Sequence, residues 1–298
     1  ALFICAQNTN YSNETYTTKV INEKGEKILT EFNNVQPIEN TDGSNVWYES
    51  NILKYEKDNK YGLINFDGKE ILAPIYDNIY ALQGIEKSVI VEKDGKKGLV
   101  STSMGEVIIP VEYTDITSLT KKYEDGYIVK NDAGKLGIIS PDKTTTLETA
   151  YDEIRNVTGN GYYVVVQNGT LEIVNKKGEV ILNNGFETVV EINADNFVIT
   201  VGGKYGVISK SGETVIEAKY EDLKFAFSDN YIAKLNGKYG IINTSSNEVV
   251  GFNYERINYV SEADFFTAEK GGFTTDILNS SFETVLNSII VSDLNIDD

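Results

Sequence analysis

A short motif, Lys238-Tyr239-Gly240-Ile241-Ile242-Asn243, recurs along this chain at a nearly fixed spacing. Close copies are Lys60-Tyr61-Gly62-Leu63-Ile64-Asn65 and Lys204-Tyr205-Gly206-Val207-Ile208-Ser209, and weaker ones stand at Lys96-Lys97-Gly98 and Lys135-Leu136-Gly137. The equivalent positions Gly62, Gly98, Gly137, Glu172, Gly206, Gly240 and Asp276 lie 34 to 39 residues apart, and Lys19 takes the same place in a degenerate first copy. Eight units therefore begin, near residues 17, 60, 96, 135, 170, 204, 238 and 274. A period of this length constrains the fold more than any single residue can. Each copy is one supersecondary unit that cannot bury its own apolar face, so neighbours must stack.

Each unit reads the same way. A short apolar strand such as Val207-Ile208 is followed by a tight turn, as in Asn65-Phe66-Asp67-Gly68 or Ser209-Lys210-Ser211-Gly212. Asn or Ser opening and Gly closing such a turn is hairpin chemistry, because glycine accepts positive φ without a steric penalty. A second strand returns, for example Glu70-Ile71-Leu72 or Val215-Ile216. Pro74 and Pro110 are placed just past this strand, where a missing amide donor matters least. An aromatic then precedes an aliphatic by three residues: Phe32/Val35, Tyr76/Ile79, Tyr113/Ile116, Tyr151/Ile154, Phe186/Val189, Tyr220/Leu223 and Tyr254/Ile257. Seven aromatics at one register are the same core peg used seven times. A β-rich segment such as Ser88-Val89-Ile90-Val91 leads into the next copy. No stretch carries helical periodicity.

The expected fold is all-β, a single repeat domain over residues 1–298 built of short antiparallel meanders. Two architectures accommodate such units, a closed β-propeller and an open β-hairpin superhelix. Closure is the preferred expectation. The last unit lacks its final strand, and Phe3-Ile4-Cys5-Ala6-Gln7-Asn8 aligns with the final strand Tyr163-Val164-Val165-Val166-Gln167-Asn168 of another, so both termini would share one blade. Ala1–Ala6 also reads, alternatively, as the remnant of a targeting segment.

The pattern Lys-aromatic-Gly-aliphatic-aliphatic-Asn, then Gly-Lys-Glu-Ile, then Pro-x-Tyr-Asp-x-Ile, written out in residues 60–79, resembles the bacterial WG-repeat (KWG-repeat) family. The family tryptophan is replaced by Tyr61, Tyr205 and Tyr239, and by Lys97, Leu136 and Leu171 in the weaker units. The resemblance implies all-β repeats in secreted, surface-attached or modular bacterial proteins, acting as interaction modules and sharing no catalytic residues.

Charge narrows the partners. Lys and Arg number 27 against 45 Asp and Glu, a net charge of −18. That surface repels phosphate backbones and anionic lipid, which disfavours nucleic acid and favours a protein with a basic face. No apolar run approaches the ~18 residues a membrane span requires. The single Cys5 is compatible with export to the cell surface or medium and with the cytosol, and it leaves no intrachain disulfide.

The chain has no histidine, which removes imidazole-based catalysis and histidine metal sites, and one cysteine supplies no thiolate cluster. No metal or cofactor is expected. Asp293, Asp297 and Asp298 lack the spacing of a calcium loop and read as a solvated tail. Gly202-Gly203-Lys204-Tyr205-Gly206 is a hairpin of the repeat rather than a phosphate loop, since no helix follows it. Only a carboxylate pair could support catalysis, as in a glycosidase. The acids after the repeat aromatics (Asp77, Asp152, Glu187, Glu221 and Glu255) obey the period, and turn solvation accounts for them.

What remains is a binding or scaffold domain that is not an enzyme. Its partner is expected to be a protein, with a carbohydrate-binding module as the alternative and a carboxylate glycosidase as a remote one. The aromatics outside the repeat register are Trp47, Tyr48, Tyr80, Tyr123, Phe227 and Tyr259. Of these, Trp47 and Tyr48 fall in residues 36–52, an insertion that lengthens the first unit to 43 residues. The scaffold does not need this pair, and it is expected to be exposed and to bind the ligand.

Overall fold

A computed structural model describes residues 1–12, 15–155, 161–183, 185–193 and 195–290. The tail acids Asp293, Asp297 and Asp298 lie outside the described residues. The chain divides into two compact units. One holds residues 1–155 with 165–169 and 176–178, and the other holds 161–164, 170–175 and the described residues from 179 onward.

Among the described residues the architecture is all-β apart from one 3-10 turn at Tyr123–Asp125. Seven four-stranded sheets follow one another in chain order, over residues 35–76, 78–113, 115–151, 153–183, 188–220, 222–254 and 256–290. A three-stranded sheet (Leu2–Asn10, Thr15–Asn22, Lys27–Ile28) precedes them, and a two-stranded hairpin interrupts the sheet at 35–76.

The sheets are offset from the sequence repeat. In the meander at 78–113 the aromatic–aliphatic step supplies the first strand, Asn78–Ala81. It pairs with Ser88–Lys93, then Lys96–Ser101, then Val107–Tyr113, all antiparallel. The motif that marks each sequence unit thus forms the third strand. Hydrogen bonding follows the three hairpins, and the chain passes to the next sheet just after the repeat aromatic. The N-terminal strand, expected to complete a last blade shared by both termini, pairs instead with Thr15–Asn22, and residues 256–290 already form a four-stranded sheet of their own.

The middle strands are nearly continuous apolar runs. Val89, Ile90 and Val91 are buried together, as are Tyr231, Ile232 and Ala233. In these two strands alternation is lost because each face is covered by an adjacent meander. One core cluster joins Leu63, Leu72 and Tyr76 of one meander to Ile79, Val89 and Val100 of the next. Another joins Val207, Ile216 and Tyr220 to Leu223, Tyr231 and Ile242. Tyr76, Phe186 and Tyr220 are pegs between meanders, and Tyr151 in the same register is buried as well.

The marker glycine has a steric cause. Pairing jumps from Tyr61↔Tyr76 to Leu63↔Leu72, so the fourth strand bulges opposite Gly62. A Cβ on Gly62 would lie 2.5 Å from the Leu72 carbonyl oxygen. The same bulge stands opposite Gly98, Gly137, Gly206 and Gly240. Where the position is Glu172, pairing passes in register from Glu172↔Asn183 to Ile173↔Leu182, and a side chain fits. Pro74 and Pro110 lie inside the fourth strands rather than beyond them, within the bulged stretch where the ladder already lacks a donor.

The periodic acids are more than solvated turns. The Asp94, Asn168, Gly203 and Gly237 amides donate to Asp77, Asp152, Glu187 and Glu221 over 2.7–3.1 Å. Each of these acceptors ties the exit from one sheet to the hairpin between the second and third strands of the next. The motif lysines Lys60, Lys135 and Lys238 pair with Asp77, Asp152 and Glu255. Those hairpins carry positive φ at two successive residues (Asp94-Gly95, Gly202-Gly203, Asn236-Gly237), the type I′ geometry that suits the strand twist.

Candidate functional site

The insertion folds as a hairpin. Glu39–Thr41 pairs with Val46–Tyr48 in the register Glu39↔Tyr48, Asn40↔Trp47 and Thr41↔Val46. Its turn is closed by Asp42, whose carboxylate accepts the Asn45 and Ser44 amides at 2.7 Å each and the Asn45 side-chain amide at 3.0 Å. The Asn45 amide, the Asn45 side chain and the Ser44 amide hold the Asp42 carboxyl down at about 2.

Two buried polar residues fasten this hairpin to the loop before Ser88. Asn40, 3% exposed, donates to the Ile85 carbonyl at 2.9 Å and accepts the Gly84 amide at 3.1 Å. Glu49, 6% exposed, accepts from Asn40 Nδ2 at 2.8 Å and from the Lys87 amide at 3.2 Å. Ile38 is buried with Ile52 and Ile79 in the adjoining core, and Lys121 donates to the Asp42 carbonyl at 2.7 Å. A buried carboxylate and amide that satisfy one another and two loop amides make a rigid, geometry-specific joint.

Sequence reasoning expects Trp47 and Tyr48 to be exposed together. The structure separates them. Tyr48 is 58% exposed, whereas Trp47 is half-buried with its indole Nε1 buried and unbonded among the described residues. Successive residues of a strand face opposite sides, so an adjacent pair in a hairpin cannot present one aromatic face. The expectation also supposes that no neighbour can receive the insertion, and the loop at Leu82–Lys87 does so.

Both residues border a groove of about 820 Å³. Ser50, Asn51 and Ile52 continue the wall on their side. The groove is also lined by Asn65, Lys69, Glu70 and Ile71, by Glu86 and Lys87, and by Thr102, Ser103 and Met104. These come from the turns and loops of two successive meanders at one end of their sheets. Met104 is 78% exposed and adds an apolar contact. Glu70 accepts from the Tyr55 hydroxyl at 2.6 Å, and burial with that bond raises the Tyr55 pKa above its ordinary value.

The other off-register aromatics do not join this groove. Tyr123 is 49% exposed in the 3-10 turn, and Tyr80 is half-buried near the Lys97–Asp115 ion pair. Phe227 and Tyr259 stack at 5.2 Å in a cluster with Phe266 and Phe282, which is core packing. Cys5 is exposed on the N-terminal strand. The anchors Asn40 and Glu49 are not singled out by the sequence reading, although Asp42-Gly43 between two short β-rich segments signals the hairpin that carries them.

Removing an anchor should loosen the hairpin while the repeats stay folded. Glu49→Ala takes the acceptor from one buried Asn40 N–H and from the Lys87 amide, and a loss of about 1–3 kcal/mol is expected. Hydrogen exchange should show faster opening confined to residues 38–49 and 84–87. Uniform acceleration across the chain would refute the local anchoring.

The family model described as "WG containing repeat" matches residues 61–96, 205–239 and 239–272. No curated protein matches the chain in sequence. Among solved structures, a eukaryotic initiation factor is similar at 10% identity and a TM-score of 0.40, covering 96% of this chain and 84% of the other. Kluyveromyces lactis Hsv2 is similar at 12% identity and a TM-score of 0.33, covering 60% and 62%. PorZ of Porphyromonas gingivalis is similar at 11% identity and a TM-score of 0.30, covering 87% and 38%.

Proposed function

We propose that this chain is a divergent bacterial WG-repeat protein, with Tyr61, Tyr205 and Tyr239 in the place of the repeat tryptophan, working outside the cell or at its surface. In this reading it is a non-enzymatic binding domain that holds a protein partner at the groove beside Trp47 and Tyr48. The observation that carries the proposal is Tyr48, an exposed aromatic held on a hairpin whose buried joint to the scaffold fixes its position. Rigid aromatic anchors lose little entropy on binding and are enriched at hot spots. The net charge of −18 favours a partner with a basic face.

A photo-crosslinking residue at position 48, compared with one at the exposed Val180, tests the assignment in producing cells. A discrete protein adduct from position 48 alone is expected, and identical patterns from both positions would overturn it. With that partner in hand, Tyr48→Ala should weaken binding at least tenfold, about 1.4 kcal/mol, with stability unchanged within about 0.5 kcal/mol.

Carbohydrate is the second reading, supported by the exposed Tyr48 and the polar Asn65, Glu70 and Ser103 that line the groove with it. A glycan array separates the two.

A further inference from the structure

Among the described residues, the hairpin that carries Trp47 and Tyr48 has two strands, and one edge of Val46–Tyr48 has no strand beside it. In an antiparallel pair, residues that bond across the pair alternate with residues whose amides and carbonyls point away from it. The Glu49 amide donates to the Ile38 carbonyl at 2.8 Å, and the Asp42 amide donates to the Asn45 carbonyl at 3.3 Å. Those bonds make Trp47 the inward-bonding residue between them. Val46 and Tyr48 therefore direct their backbone groups outward, and no described residue bonds them. Their side chains are 65% and 58% exposed.

We propose, resting on the protein-binding reading above, that the partner contributes an extended segment that adds as a third strand along Val46–Tyr48. An exposed strand edge is a template for backbone pairing, and strand addition is a recurrent mode of peptide capture. The bonds to Val46 and Tyr48 supply sequence-independent affinity. Alternate side chains of the segment reach into the groove toward Met104 and Ile71 and give specificity.

Charge selects the occupant. The exposed Glu70 and Glu86 offset Lys69 and Lys87 along the groove, so the chain's net charge of −18 sets the sign of the surrounding field. The segment therefore carries Lys or Arg at some positions, and its association weakens as salt rises.

A phage-displayed library of random linear dodecapeptides, selected on the wild-type protein, tests this. Enriched peptides should be rich in Lys and Arg. They should lose at least tenfold in affinity for Val46→Pro, which deletes one outward amide, and keep it for Val46→Thr, which retains that amide. An amide-to-ester replacement at Tyr48 removes the other donor without changing a side chain, and covers the case in which proline disturbs the turn. The same tenfold loss is expected there. If Tyr48→Ala weakens the peptides while the proline and ester variants do not, strand addition fails and the groove stands as a side-chain site. Peptides indifferent to all these changes, or no enrichment at all, would overturn both readings.

Discussion

Tyr220→Ala is expected to destabilise the protein by about 3–5 kcal/mol, the loss typical of deleting a large buried aromatic side chain. Tyr220 is 2% exposed and lies opposite Tyr205 across the bulged pair of strands. Its ring stacks on Phe252 of the following meander at 6.2 Å, and its cluster spans both meanders. The side chain is thus shared by two repeats, and removing it opens a cavity that neither can close alone. Tyr220→Leu keeps most of the apolar volume and should be milder. Tyr113 occupies the same register but is only half-buried, so Tyr113→Ala should be less damaging. Chemical denaturation followed by hydrogen exchange in residues 196–250 measures the effect where it arises. A loss below about 1 kcal/mol for Tyr220→Ala would show that the repeat aromatics are not the pegs between meanders.

Gly137→Val should be damaging for the opposite reason. A Cβ there would meet the Leu147 carbonyl oxygen at 2.6 Å and the Thr149 amide nitrogen at 2.9 Å, both backbone atoms of the bulged strand. Neither can rotate away as a flexible side chain would. The added volume must straighten the bulge or part the strands, and a cost of about 3 kcal/mol is expected, at the upper end of the ordinary range for overpacking. Gly271→Ala is the matched control, since nothing lies within 4 Å of its added Cβ and its φ is not left-handed. Thermal melts should place the control near wild type and Gly137→Val well below it. Equal behaviour of the two would mean that the recurrent glycine is not required by the bulge.

The carboxylates after the repeat aromatics show where a periodic signal can be read and its cause still missed. Their spacing in the sequence marks them as structural. It does not reveal that Asp77, Asp152, Glu187 and Glu221 each accept an amide from a hairpin turn 16 or 17 residues further on. That contact exists only once the second and third strands fold back past the exit of the preceding sheet. The insertion behaves similarly. Asp42-Gly43 announces a turn, but the seating of Asn40 against Gly84 and Ile85 depends on a loop 44 and 45 residues away, and no local pattern encodes it.

The sequence by itself determined the all-β class, the period, the tight turns and the aromatic pegs. These follow from local preferences repeated at a fixed interval: apolar β-formers in short runs, glycine where φ is positive, and one large ring per unit. Tertiary structure alone decided that sheets begin at the aromatic–aliphatic strand, because hydrogen bonding joins hairpins rather than sequence repeats. It also decided that the marker glycine serves space rather than conformation, since a bulge in the facing strand presses a carbonyl against it. It divided Trp47 from Tyr48, one turned toward the scaffold and one toward solvent, because a strand alternates its faces and only the folded neighbour shows which face is covered.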